Sequence, residues 1–389
     1  MTAFVEDFIR PAGQRLVLLC DWLPPDFGAV GQYTLLRGRE LADAGHHVEV
    51  IGFSSAPARV ETEARGAGSL RIRYIQRRPY DRGRLRERAL WTLSANLALM
   101  RAAWSALAQA DEIIFTGSPP YLLHFIVPLN LWRRRRLVYR ITDFHPECLI
   151  AEWQVGGRTI PVWLRAIHTL TLYWRRRVGT IEVLGEDQAE RLRQLGLAAV
   201  PLRTVRDPSP VVFTPGLEPL PRPAELAGRK ILLYSGNFGV AHDHHTIVAA
   251  LREVERSQPG RVGLWLNAVG GKADVVEAEL RAAGVLVHRS QPVPLAALPA
   301  LLRAADAHLI TLRDDFVGYV LPSKVYACIA SGRRVLYIGA QASDVHRLCA
   351  AGLPAADYRQ VDCGQVAPAV RAIRELLLRD EQDRAAASA

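Results

Sequence analysis

Lysine is nearly missing from this 389-residue chain. Of its 49 basic residues only Lys230, Lys272 and Lys324 are lysines, and the rest are arginines. Lys230 and Lys272 read as surface loop residues, which singles out Lys324. Cysteine is also scarce. Cys20, Cys148, Cys328, Cys349 and Cys363 are odd in number and far apart. No two have metal-ligand spacing, which excludes a disulfide framework and a zinc module and predicts buried thiols in a reducing compartment. No apolar run approaches the roughly 18 residues of a membrane span. Met1 to Arg10 carries Glu6 and Asp7 and has no apolar core, so no signal peptide is expected there. These absences predict a cytoplasmic protein, soluble or peripheral on the inner face of the cell membrane.

What is present is bulk and positive charge. Hydrophobic residues make up 49% of the chain, enough for two domains that each bury a core. A formal charge of +10 suggests an anionic partner: nucleic acid, a membrane surface or an anionic substrate. No helix-turn-helix, zinc module or aromatic RNA-binding motif is recognisable, so nucleic acid is not expected. The basic clusters Trp132-Arg-Arg-Arg-Arg136 and Tyr173-Trp-Arg-Arg-Arg177 each close an apolar stretch. Aromatics beside arginines suit a lipid headgroup interface, and they equally suit solvated helix ends.

Short apolar runs alternate with helical patterns along the whole chain. Leu16–Cys20 reads as a buried strand, followed by the turn-rich stretch 21–31, a helix over Gln32–Ala44, and a strand over His47–Ile51. Further strands are predicted over Ile72–Ile75, Glu112–Thr116, Arg136–Ile141 and Gly179–Leu184. Helices fall over Leu90–Leu107, Tyr121–Trp132 with a kink at Pro128, Val162–Arg177 and Gln188–Leu195. Seven prolines between Val200 and Arg229 then mark a linker. Beyond it the alternation restarts. Strands are predicted over Lys230–Tyr234, Val262–Ala268, Val285–His288, Ala307–Thr311 and Val335–Ile338. Helices fall over His244–Glu255, Ala273–Ala283, Leu298–Ala304, Ser323–Ala330 and Val366–Leu378, before a frayed Ala-rich tail. The reading is α/β: two doubly wound, Rossmann-like domains, 1–205 and 206–389, facing a central cleft, with a last helix able to pack back on the N-terminal domain.

Four segments could carry chemistry. Leu321-Pro-Ser-Lys-Val-Tyr326 places Ser323 and Lys324 at a helix start, where a lysine can meet a diphosphate or simply sit on an ordinary capped helix. Tyr234-Ser-Gly-Asn-Phe-Gly239 is a strand, a small-residue loop and a helix, a geometry that lets backbone approach phosphate. Gly28-Ala-Val-Gly31 is a similar, weaker turn. Asp143-Phe-His-Pro-Glu147 sets two carboxylates and an imidazole at a strand end, as acid–base groups or acceptor ligands.

Taken together, Pro24–Gly31 with Glu40–His46, Asp143–Glu147, Tyr234–Gly239 and Leu321–Tyr326 with Ala330–Gly332 resemble the retaining glycosyltransferases of family 4, more narrowly the members that assemble cell-surface polysaccharides and O-antigen. The resemblance covers nearly the whole chain and implies the GT-B fold. It implies a glycosyltransferase that moves a sugar from a nucleotide-sugar donor, UDP-linked before GDP-linked, to a hydroxyl of a glycan or polyprenyl-linked acceptor, with retention. It implies that Gly28, Gly31, Gly236, Asn237 and Gly239 line the donor site. Ser323 and Lys324 would hold the diphosphate, and Arg289 and Ser290, in the loop 288–293, would face the nucleobase. Asp143, His145 and Glu147 would face the sugar and acceptor, with Lys324, His145 and Asp143 the catalytic candidates. No cofactor or metal is implied, since Asp314-Asp315 lacks the spaced carboxylates of metal-dependent sugar transferases. The chain departs from the family at the paired glutamates, whose places hold Tyr319 and Ala327, and after the Gly-Asn loop, where a basic residue gives way to Val240 and Ala241. Asp314 or Asp315 could stand in for the first acid, and Arg313 or Arg289 could help Lys324 with phosphate charge. A sugar-nucleotide epimerase of the same fold and a catalytically degenerate donor-binding subunit are the alternative readings.

Overall fold

A computed structural model describes residues 11, 13–26, 28–78 and 85–378. The expectations for Met1–Arg10 and the C-terminal tail lie outside the described residues. Two compact units emerge from the chain. Unit 1 runs to Pro208 and takes in Gly318–Val320; unit 2 comprises Ser209–Val317 and resumes at Leu321.

Unit 1 contains β1 (Arg15–Trp22), α1 (Ala29–Asp43), β2 (His47–Ser54), β3 (Arg59–Arg65), β4 (Gly68–Gln76), α2 (Leu85–Gln109), β5 (Glu112–Thr116), α3 (Leu123–Arg133), β6 (Arg136–Ile141), α4 (Glu147–Val155), α5 (Val162–Arg175), β7 (Thr180–Val183), α6 (Glu186–Leu192) and β8 (Leu202–Thr204). Its sheet runs β3-β4-β2-β1-β5-β6-β7-β8. All pairs are parallel except β3–β4, an antiparallel edge. Successive residues of β1 feed opposite faces. Val17 and Leu19 join the α2–α3 core, and Leu16, Leu18 and Cys20 join the α1 core. Burial on both faces is why the strand reads as an unbroken apolar run.

Unit 2 contains β9 (Lys230–Asn237), α7 (His245–Ser257), β10 (Val262–Val269), α8 (Gly271–Ala282), β11 (Val287–Ser290), α9 (Leu298–Ala304), β12 (Ala307–Thr311), α10 (Lys324–Ala330), β13 (Arg334–Ile338), α11 (Asp344–Gly352), β14 (Tyr358–Val361) and α12 (Val366–Leu377). The sheet order β11-β10-β9-β12-β13-β14 is wholly parallel and has the doubly wound Rossmann arrangement. Strand order reverses between β9 and β12, so the crevice for a ligand opens beyond Asn237 and Thr311.

Four expectations need correction. The last helix belongs to unit 2: α12 buries Ala369, Val370, Ile373, Leu376 and Leu377 in one core with Val248, Leu251 and Val254 of α7. The proline-rich stretch begins with a strand, since Leu202–Thr204 pairs with β7 at the sheet edge, where few ladder bonds are needed. β3, α4, α11 and β14 are additional elements. The helix expected from Tyr121 begins at Leu123 and runs through Pro128 to Arg133.

Candidate functional site

The geometry of unit 2 centres on Lys324. Its amine lies 3.3 Å from the centroid of the Tyr234 ring. A Cβ placed on Gly236 would stand 3.6 Å from both Cε and Nζ of Lys324. The lysine side chain is half-buried overall, but Nζ itself is shut off from solvent and has no hydrogen-bond partner. Burial lowers its pKa to about 7, against a small opposing pull from Cys328. A buried amine without a partner is costly, and the ring face recovers part of that cost. Gly236 has φ of 124°, a left-handed conformation that side chains resist. Asn237 follows it, exposed, and its carbonyl accepts from the Tyr234 hydroxyl at 2.8 Å. Ser323 precedes α10 without capping it by its side chain. Gly239 lies next to the Asn237 amide, 3.5 Å from a Cβ built on it.

His242 buttresses the same crevice. It is half-buried beside Tyr234 and Phe238, and its Nδ1 donates to the Thr311 carbonyl at 2.6 Å. Burial, then the neighbouring Lys324, lowers its pKa to about 3, so the ring is neutral and Nε2 is left as an acceptor.

A polar row crosses the sheet beside Gly236. Ser235, Asn267 and Ser290 occupy matching positions on β9, β10 and β11. Ser235 Oγ donates to Asn267 Oδ1 at 3.1 Å, and Ser290 Oγ accepts from Asn267 Nδ2 at 2.9 Å and from Trp265 Nε1 at 3.0 Å. With its lone pairs engaged, Ser290 keeps a hydroxyl proton to donate outward. Arg289 pairs with Asp274 through Nη2 at 3.3 Å, while its buried Nη1 has no partner. Asn267 and Tyr234 escaped the sequence reading. A lone asparagine within the apolar run of β10 was the available signal for the first.

The second position at which the resemblance implied an acid is structural here. Ala327 packs in an apolar core with Leu233, Trp265 and Leu301. Tyr319 belongs to unit 1, where its carbonyl accepts from Phe144 N at 3.2 Å and its ring lies under the Arg191 guanidinium. Asp315 is exposed and pairs with Arg313 at 3.5 Å. Asp314 is exposed as well, and partial desolvation, then Asp362 and Asp315, raises its carboxyl.

In unit 1 the other candidates gather after β6. Asp143 is half-buried, pairs by backbone with Val320, and carries no side-chain partner among the described residues. Burial raises its pKa to about 6, the range of a usable acid–base group. The His145 ring lies 6.4 Å from that of Tyr121, a residue held at φ of 68°. Such a conformation in a non-glycine residue marks stored strain. Glu147 takes a different role from the acceptor ligand expected of it. Arg175, fully buried, grips both its oxygens, and His168 adds a contact at 3.3 Å. Against the cost of burial, this pairing lowers its pKa to about 2. Gly28 and Gly31 are also accounted for within the unit. Gly28 precedes α1 in extended backbone, and a Cβ on Gly31 would fall 1.8 Å from the Trp22 carbonyl. Glycine is needed at 31 so that α1 can cross the end of β1. Among the described residues no cluster of histidine, cysteine and carboxylate side chains has a metal-holding arrangement.

No family model matches the chain. WcaI of Escherichia coli (strain K12), provisionally named a colanic acid biosynthesis glycosyl transferase, is 24% identical over 364 residues, spanning 84% of this chain and 83% of its own. WbjE of Pseudomonas aeruginosa, provisionally named a glycosyltransferase, is 23% identical over 62% of this chain and 60% of its own. Among solved structures, an α,α-trehalose-phosphate synthase (UDP-forming) from Burkholderia vietnamiensis superposes with a TM-score of 0.59 at 12% identity, covering 96% of this chain and 93% of its own. Anabaena HepE, solved with UDP and glucose, gives 0.59 at 14% identity over 95% and 91%. The fold is GT-B, and the chain is an enzyme that transfers sugars. Both units therefore carry the architecture that the resemblance implied, while the residue roles rest on the geometry above.

Proposed function

We propose that this enzyme moves a sugar from a nucleoside-diphosphate sugar, UDP-linked before GDP-linked, to a hydroxyl of a glycan or polyprenyl-linked acceptor in cell-surface polysaccharide assembly. The observation that carries the reading is the Lys324 amine, buried without a partner beside the glycine of a small-residue loop at the switch point of a Rossmann sheet. An ammonium there neutralises a diphosphate that gains charge as the sugar leaves. Asn237 and Gly239 continue the loop of Gly236, and Ser323 immediately precedes Lys324. Ser290 and Arg289, with spare donors, suit the nucleoside end. The likeness to a colanic acid biosynthesis glycosyl transferase favours polysaccharide assembly, and the likeness to UDP-forming and UDP-bound structures favours uridine. Asp143 is the group suited to the acceptor hydroxyl. Retention follows if the leaving diphosphate takes the acceptor proton on the face it vacates, and no metal enters the scheme.

The test is a thermal-shift and hydrolysis screen of nucleotide sugars on wild type and on Lys324→Ala. One donor should stabilise the wild type and be slowly hydrolysed. The variant should lose the shift and about 10²–10³ of the rate. A donor that binds both proteins equally would remove Lys324 from the site. Binding without turnover, even with lipid-linked acceptors present, would favour a degenerate donor-binding subunit. Tyr319 and Ala327, standing where acids were expected, keep that second reading specific.

A further inference from the structure

We infer that the outer face of helices α2, α3 and α5 in unit 1 docks on an anionic phospholipid bilayer, independently of which sugar is transferred. The three helices pack side by side over one face of the sheet, with Leu99, Ala103, Ile126 and Val127 turned into a shared core. Their outward faces remain apolar. On α2 the exposed positions Leu90, Leu93, Leu97, Arg101 and Trp104 recur every three or four residues. On α5 and just past its end the same spacing exposes Trp163, Ala166, Leu170, Tyr173 and Arg177. Leu131 and Trp132 extend the face at the end of α3, and Trp132 is 78% exposed, as Leu90 is at 69% and Val162 at 81%. Side chains this open are not covering the core, so the apolar stripes face outward.

Charge decides the occupant. Residues 88–110, 113–142 and 153–181 contain no aspartate or glutamate, yet they include Arg101, Arg133–Arg136, Arg165 and Arg175–Arg177. Arg175 is spent inside the unit and Arg136 pairs with Glu112 at 3.4 Å, but Arg101, Arg134, Arg165, Arg176 and Arg177 are exposed. Arg133 lies 4.1 Å over the ring of Trp104 and Arg177 lies 3.4 Å over that of Tyr173, placing cation and aromatic at one level. A hollow of about 560 Å³ beside the stripe is lined by Arg73, Arg101 and Trp104 and holds none of the candidate site residues. A second copy of the chain presenting the same face would set mainly arginine against arginine, since those stretches hold no acid. A bilayer answers both features, with phosphates for the guanidiniums and acyl chains for the leucines and tryptophans. No described helix is long and apolar enough to cross a membrane, so the contact would lie in the interface plane.

The experiment is co-sedimentation of the full chain with vesicles of phosphatidylglycerol and phosphatidylcholine, against phosphatidylcholine alone. Wild type should partition to the anionic vesicles, and added salt should weaken it. A Leu93→Asn/Leu97→Asn/Trp132→Ser variant and an Arg101→Glu/Arg134→Glu variant should each lose roughly tenfold in partitioning. Both should keep the wild-type circular dichroism and donor hydrolysis. Equal binding to both vesicle types, no binding to either, or variants that bind like wild type would overturn the proposal. So would a dimer, or an RNA complex, that the same substitutions abolish while vesicle binding persists.

Discussion

Lys324 should work against the fold that holds it. Its folded-state pKa of about 7 lies below that of a free lysine, so between those values the unfolded chain binds the extra proton. The cost is full below pH 7 and fades as pH rises towards the unfolded value. Lys324→Met should therefore melt at a higher temperature than wild type at neutral pH without ligand, while losing nucleotide binding. A lower melting temperature would show that the amine is structurally satisfied. Asp143 behaves in the opposite sense to a paired carboxylate. With its pKa raised to about 6, it costs the fold nothing below the unfolded value and progressively more as pH climbs through 6. Asp143→Asn should gain stability at pH 7 but not at pH 3, and should flatten the acid limb of the transfer pH profile near pH 6. A profile identical to wild type would remove Asp143 from acceptor chemistry.

At the scale of elements, the packing of α1 and the tie between α4 and α5 make the sharpest demands. Gly31→Ala must move α1 off the Trp22 carbonyl, at about 3 kcal/mol or more. Glu147→Gln leaves the buried Arg175 guanidinium without its counter-charge, a loss of roughly 3–5 kcal/mol. Urea unfolding reads both, and an unchanged midpoint in either variant would refute the packing described. The elements that were legible from sequence are those buried on two faces, such as β1, β9 and β12, where an apolar run has no other use. β3, β8 and β14 were missed because edge strands are short or polar. β3 alone carries Arg59, Glu61, Glu63 and Arg65. α4 was hidden behind the Asp143–Glu147 motif, whose last residue looked like a ligand and is instead the first residue of a helix. Lys324 and Gly236 could be picked out because lysine is scarce and glycine follows a strand. Asn267 offered only a lone polar residue in an apolar strand, and its place in the polar row comes from strand register; the place of Tyr234 under the Lys324 amine comes from the tertiary fold.

For the whole molecule, the division of labour has a readable signature. Nucleotide should slow hydrogen exchange at the end of β9, the start of α10 and around Ser290, all in unit 2, while vesicles should protect α2 and α5 in unit 1. Protection of one and the same set by both would contradict the separate assignments. The lowered pKa of the amine over Tyr234, about 7, has a last consequence. A diphosphate placed beside it favours the ammonium, so at pH 7 and above the protein must draw a proton from solution as the nucleotide enters. Affinity should then decline as pH rises past 7. Titration calorimetry of wild type should give heats that differ between buffers in proportion to their ionisation enthalpies, and Lys324→Met should erase that difference.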